Sequence, residues 1–305
     1  MKHDQPEADL AIEIHGLSKS YGAKQALADL SLAIPYGGIH AVVGRNGAGK
    51  STLFHIMLGF AEPSTGSARV LGQPSHALSP SVRGDIAVVN EEHALPPWQS
   101  VERLCALEQN HYRGWDQAIY ERIIGLFDLH REQRVHQLSR GERAGLAIAL
   151  AMAKRPKLLV LDEPTLGLDV VANQAILESL LLASTLQDCT LVFSTHQMNE
   201  VERIADNLIL LDRGRLGAYE SPDSFRTRFG AWTAADLPID RLQEIEGLLQ
   251  HRMIEDRHQL VVIDRGPTVV PELESMGATQ VTEDPITFDR AVNAFLHRRI
   301  GERVL

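Results

Sequence analysis

The stretch Gly44-Arg45-Asn46-Gly47-Ala48-Gly49-Lys50-Ser51 has the spacing G-x-x-x-x-G-K-[ST]; it follows the apolar run His40–Val43 and precedes a helical one. Glycines at these intervals let the backbone curl until its N–H groups converge on a polyphosphate. The following helix points the positive end of its dipole at the same anion. Gly44, Asn46, Gly47, Ala48 and Gly49, with Thr52 just beyond, are therefore candidate phosphate contacts. Lys50 would bridge the β- and γ-phosphates, and Ser51 would offer its hydroxyl to Mg²⁺. A second constellation is Asp162-Glu163, at the end of the apolar run Leu158–Leu161. Carboxylates ending a buried strand are costly without a cation, and that end of an α/β sheet is where ligands bind. Asp162 suits Mg²⁺, directly or through water, and Glu163 suits the attacking water as base or orienting acceptor. Alone, such a pair could be a capped helix start; beside a phosphate loop it points to phosphoryl chemistry.

Strands must bring these residues to one edge. His40–Val43, Ile86–Val89, Leu158–Leu161, Thr190–Phe193 and Asn207–Leu211 are near-continuous apolar runs, as expected of parallel strands covered on both faces. Alternating with helical stretches, they predict an α/β domain with a mainly parallel sheet over residues 1–230. Between about residues 97 and 155 the strands stop, and helices are expected over Val101–Tyr112, Asp116–Leu129 and Gly141–Lys154, forming a helical insert. After Gly230 the texture changes: residues 231–305 contain no lysine. A hairpin over Arg252–Asp264, a helix near Val270–Ser275 and a periodic stretch Phe288–Arg298 predict a small C-terminal α/β appendage, joined by a linker near Arg228–Ala231.

The 305 residues, 44% apolar and 23% charged, suit one large or two ordinary globular domains. A formal charge of -10 argues against a protein built to hold nucleic acid. Cys105 and Cys189, far apart and without metal-ligand spacing, read as reduced core residues. The polar N-terminus lacks a secretory pattern, and no apolar run approaches the roughly 20 residues that span a bilayer. At a membrane, a partner would have to provide the anchor.

From about Ile12 to Gly230 the chain resembles the ATP-binding-cassette ATPase family, in its exporter branch. Leu138-Ser139-Arg140-Gly141-Glu142-Arg143 is similar to the family signature Leu-Ser-Gly-Gly-Gln. The resemblance implies that Ser139 and Gly141, at a helix start, bind the γ-phosphate held by a second subunit. Thr165-Leu166-Gly167-Leu168-Asp169 resembles the D-loop, in which Asp169 couples the two sites. Phe193-Ser194-Thr195-His196 resembles the segment ending in the switch histidine, so His196 would sense the γ-phosphate beside the catalytic Lys50 and Glu163. Tyr21 matches the aromatic residue that stacks on adenine; packing on an edge strand is its other reading.

The family usually has glutamine after the strand Ile86–Val89. Here Asn90-Glu91-Glu92 follows, with Glu91 at the glutamine position, where a carboxylate could ligate Mg²⁺ while adding negative charge; a solvated acidic loop is the alternative. Trp98 could anchor a membrane subunit or pack in the core. The resemblance implies ATP and Mg²⁺ as cofactors, a homodimer or heterodimer of ATPase subunits, a separate transmembrane permease, no direct nucleic acid, and a place on the cytoplasmic face of the membrane. A soluble cassette ATPase with a regulatory or nucleic-acid-associated role is the competing function.

Overall fold

The computed structural model describes residues 10–184, 189–297 and 299–303; the N-terminal stretch through residue 9 and Arg298 of the last periodic segment lie outside them. Two compact units emerge, Met1–Tyr219 and Glu220–Leu305.

The first unit opens with an antiparallel pair, β1 (Leu10–Tyr21) and β2 (Lys24–Pro35), and continues through β3 (Ile39–Gly44), α1 (Lys50–Met57), β4 (Thr65–Val70), the short β5 (Gln73–Pro74), α2 (Pro80–Gly84) and β6 (Ile86–Val89). The insert follows as α3 (Val101–His111), α4 (Gln117–Leu126) and α5 (Arg140–Ala153). Then come β7 (Leu158–Asp162), α6 (Val170–Ser184), β8 (Thr190–Ser194), α7 (Met198–Ile204), β9 (Asn207–Asp212) and β10 (Arg215–Glu220). Two sheets result, a four-stranded one ordered β2-β1-β4-β5 and a six-stranded one ordered β10-β9-β3-β8-β7-β6. In the larger sheet β9, β3, β8, β7 and β6 run parallel. Every residue of β3 and β8 is buried, which is why those strands read as unbroken apolar runs.

The antiparallel sheet has a different pattern: Leu30, Leu32 and Ile34 of β2 are buried while Asp29, Ser31 and Ala33 between them are exposed. Helix α1 drives Leu53, Phe54, Ile56 and Met57 into a core shared with Ile12, Ile14 and Leu17 of β1 and Leu158 and Val160 of β7. Burying each large apolar side chain of this kind contributes about 1.5–3 kcal/mol. In the insert, Ser100, Asp116 and Ser139 cap α3, α4 and α5 by accepting backbone N–H groups. Among the described residues no helix is long and apolar enough to cross a membrane.

The second unit contains α8 (Pro222–Thr227), β11 (Phe229–Ala235), β12 (Leu248–Ile254), β13 (Arg257–Ile263), α9 (Val269–Ser275), β14 (Thr279–Asp284), α10 (Phe288–Leu296) and β15 (Arg299–Arg303). Its sheet is ordered β14-β11-β13-β12-β15. One face packs Trp232, Leu260 and Val262 against Val269 and Leu273 of α9. On the other, Phe225 of α8 meets Phe229, Phe288 and Phe295 at ring-centroid distances of 4.8, 6.2 and 5.8 Å. The division at Tyr219/Glu220 precedes the expected boundary at residue 230 because α8 belongs to this aromatic cluster. The expected linker at 228–231 is not a linker. Phe229, Gly230 and Ala231 begin an interior strand of the sheet, paired with Ile263, Val262 and Val261.

Candidate functional site

The phosphate loop leaves β3 and enters α1 through Gly49, whose φ is 107°. A Cβ there would lie 2.6 Å from the Ala26 carbonyl oxygen and 2.7 Å from Leu27 Cδ2, so only glycine lets the loop pass against β2. The turn between β9 and β10 closes on the same point. Gly214 N–H donates to Ala48 O at 3.1 Å, and Ala28 N–H donates to Gly214 O at 2.8 Å.

Lys50 begins α1 and is buried; its Nζ donates to Gly44 O at 2.9 Å. The ammonium also lies 3.6 Å from Glu163 Oε1. On the other carboxylate oxygen, Glu163 Oε2 accepts a hydrogen bond from His196 Nδ1 at 2.8 Å. Glu163 follows β7 directly and has φ of 48°, a left-handed conformation uncommon for a side chain of this kind. Ser194 holds the backbone there: its Oγ accepts the Glu163 N–H at 2.9 Å and donates to Asp162 Oδ1 at 2.6 Å. This contact follows from the parallel register, which sets Asp162 opposite Ser194.

These groups surround one cavity of about 840 Å³, lined by Tyr21, the loop residues 45–52, Glu91, Asp162, Glu163 and His196. Gly44 contributes through its carbonyl to Lys50. Tyr21 is 50% exposed and Lys19 Nζ sits 4.9 Å from its ring centroid, so the ring is not packed into the sheet. Glu91 lines the cavity and its neighbour Glu92 does not.

Ser139, Gly141 and Asp169 do not line it. Ser139 Oγ accepts the Glu142 N–H at 3.2 Å while Glu142 Oε2 accepts the Ser139 N–H at 2.7 Å, a reciprocal cap that gives the unusual glutamate of the signature a structural task. Gly141 lies against α6, where a Cβ would stand 2.6 Å from Ala172 Cβ. Asp169 Oδ1 accepts the Ala172 N–H at 2.8 Å, capping α6. The signature and the D-loop thus meet at the start of α6.

Several supporting residues escaped the sequence. Ser194 is one; the clue was its place one strand over from Asp162, visible only once the strand order is known. Glu200, fully buried, accepts from Thr195 Oγ1 at 2.6 Å and Asn173 Nδ2 at 2.8 Å, anchoring the turn that carries His196. His93 Nε2 lies 3.2 Å from Pro164 O, tying the Glu91 loop to the segment after Glu163. Burial pushes the His93 pKa down, and Arg140 and Arg143 add to that, so the ring stays neutral and donates. Trp98 is 69% exposed and is not a core residue.

Residues 27–166 match the model of the ABC transporter family. The chain is 36% identical over 220 residues to the Nod factor export ATP-binding protein I of Rhizobium sp. (strain N33), covering 70% of this chain and 71% of that one. The chain belongs to the ATP-binding-cassette transporter family. Its cassette is an ATP-binding, ATP-hydrolysing subunit. The corresponding protein of Bradyrhizobium diazoefficiens (strain JCM 10833 / BCRC 13528 / IAM 13628 / NBRC 14792 / USDA 110) is 34% identical over 223 residues, spanning 71% of this cassette protein and 72% of that relative. Among solved structures, an ATP-binding subunit of an ABC transporter superposes with a TM-score of 0.63 at 29% identity, covering 71% of this chain and 92% of that one. CbiO1 from Clostridium perfringens, described as part of the transporter complex cbiONQ, gives 0.61 at 26% identity over 71% of this chain and 90% of its own.

Proposed function

We propose that this ATPase energises an exporter: two copies close head to tail around ATP and Mg²⁺, and their closure drives a separate membrane-spanning permease from the cytoplasmic face. The observation that carries this reading is the Glu163 carboxylate held between Lys50 and His196 at the mouth of the phosphate loop. When ATP enters, its phosphate oxygens compete with Glu163 for the Lys50 ammonium. Glu163 is then released to orient and deprotonate the attacking water, and His196 to meet the γ-phosphate. Ser51, Asp162 and Glu91 offer oxygens to the same cavity, a donor set that fits Mg²⁺; Mg²⁺ would neutralise charge on the β- and γ-phosphates. Asp162 keeps Oδ2 for that task, since Ser194 bonds only Oδ1.

Ser139, Gly141 and Asp169 do not line the cavity of their own chain, which supports their action on a second copy. The export reading draws on the relatives, which are export ATP-binding proteins. Support for a permease comes from exposed Trp98 and Phe60, 69% and 68% accessible, the latter lining a cavity of about 430 Å³ of mixed polar and apolar character that also includes Val88 and Leu95. Two experiments test the proposal. Glu163→Gln should abolish steady turnover while keeping ATP affinity; near-normal turnover would remove Glu163 from its role. Mixing Lys50→Ala with Ser139→Ala subunits should restore part of the activity, because both defects fall in one composite site. A cross-link between cysteines at Ala48 and Arg140 that forms only within one chain, in the Glu163→Gln background with ATP, would refute the head-to-tail arrangement.

A further inference from the structure

The second unit carries a net negative sequence, thirteen carboxylates against eight arginines over residues 231–305. Against that background one cavity collects positive charge. It measures about 400 Å³ and lies between the β12–β13 hairpin and α10, where Arg252, Arg290 and the polar Gln250, Gln259, Asn293 and His297 line it together with Val261 and Asp289. The register explains why these side chains converge: Arg252 is opposite Gln259 and Gln250 opposite Val261, so both pairs share one sheet face. On that face the aromatic cluster of α8 and α10 ends and polar side chains begin. Gln250 Nε2 donates to His297 O at 3.3 Å and Asn293 O at 3.5 Å, seating the end of α10 over β12.

We propose that this cavity binds a small phosphorylated molecule, its phosphoryl oxygens held between Arg252 and Arg290. Neither guanidinium has a hydrogen-bonded or ion-paired carboxylate among the described residues. Asp284 and Asp289 have hydrogen-bond partners of their own: Asp284 Oδ2 accepts from Thr233 Oγ1 at 2.6 Å, and Asp289 Oδ2 accepts from Asn293 Nδ2 at 3.0 Å. Among the described side chains of the unit, Arg226 pairs with Asp223, Arg228 with Asp264 and Glu220, Arg241 with Glu244 and Arg265 with Glu246 and Glu272, while Arg257 donates to Gln280. Burial disfavours the Arg290 charge; Asp284 favours it and Arg252 opposes it. Two like charges that face one cavity, one of them on a half-buried side chain and neither bonded to a carboxylate, repel each other, and a dianion bound between them removes that cost. Guanidinium forks match phosphoryl oxygens in pairs, and the amides of Gln259 and Asn293 can serve the remainder of a ligand. The volume suits a small metabolite.

Calorimetric titration of the full chain, with its phosphate loop saturated by Mg-ADP, tests this using inorganic pyrophosphate and citrate as probes. Pyrophosphate should bind, and Arg252→Gln and Arg290→Gln should each weaken it at least tenfold while leaving ADP affinity unchanged. Without probe, both variants should melt at or above the parent temperature, since each relieves repulsion; arginines with a structural task would lower it. Arg252→Gln sits on an exposed strand position and keeps the test open if Arg290→Gln folds poorly. No pyrophosphate binding, binding indifferent to both substitutions, or binding of citrate alone would each overturn the proposal.

Discussion

Replacing Ser194 by alanine isolates the contact that fixes both acidic residues of the cassette. The Ser194 side chain is fully buried, donates to Asp162 Oδ1 at 2.6 Å and accepts the Glu163 N–H at 2.9 Å. A hydrogen bond to a charged group contributes about 1.5–3 kcal/mol, and orphaning a partly buried N–H costs about another 1 kcal/mol. The expected loss is therefore about 3 kcal/mol. In a domain of this size that lowers the melting temperature by about 10 °C. The kinetic effect follows from geometry. Asp162 gains freedom to turn, and Glu163 loses the bond that holds its left-handed backbone, at a site where a displacement of about 1 Å can cost about 100-fold in rate. Turnover should fall at least about tenfold, half-saturation by Mg²⁺ should rise, and ATP affinity measured without metal should change little. Thermal unfolding and a Mg²⁺ titration of hydrolysis measure both halves. Stability within about 0.5 kcal/mol of the parent, together with unchanged turnover, would show that Ser194 positions neither acid.

Lys50→Ala should weaken ATP binding, because it withdraws the buried ammonium from the phosphate cradle; equal affinity by equilibrium binding would count against the loop assignment. Glu91→Gln should shift the Mg²⁺ dependence of hydrolysis more than ATP affinity, whereas Glu92→Gln, outside the cavity, should shift neither. The second unit should lose stability on acidification. Burial, with His258 beside it, pushes His251 down to about 4, and the two rings share a 2.9 Å hydrogen bond. The unfolded chain binds the proton near its ordinary value of about 6.5, so this stabilisation is complete above that pH and is lost as pH falls toward about 4, by up to about 3 kcal/mol. His251→Phe should flatten that slope in denaturant melts taken between these pH values.

The parallel strands were legible because each is buried on both faces and reads as one apolar run, and the acids that end β7 could be recognised from the run itself. The antiparallel sheet was not. Register shifts between Leu10 and Ile12, and again between Ile14 and Leu17, break the alternation in β1 that would reveal it. Helix boundaries in the insert fell within a few residues because Ser100, Asp116 and Ser139 are capping types at their starts. The phosphate loop could be read whole, since its chemistry is local in sequence. Ser194, Glu200 and His93 could not, because each acts on a residue brought near only by strand order or helix packing. Glu142 looked like a departure from the signature until its hydrogen bond to Ser139 N–H gave it a place.

The meeting of β2, the phosphate loop and the β9–β10 turn has a consequence for amide exchange. Ala28 N–H and Gly214 N–H are protected by bonds that run through the loop's own neighbourhood, one to Gly214 O and one to Ala48 O. A ligand that stiffens residues 44–51 should slow deuterium uptake at both amides, although one belongs to the antiparallel sheet and the other to a turn of the parallel one. Occupancy of the nucleotide cavity can therefore be followed at positions that touch no nucleotide, and the two sheets should report the same opening free energy when it is filled.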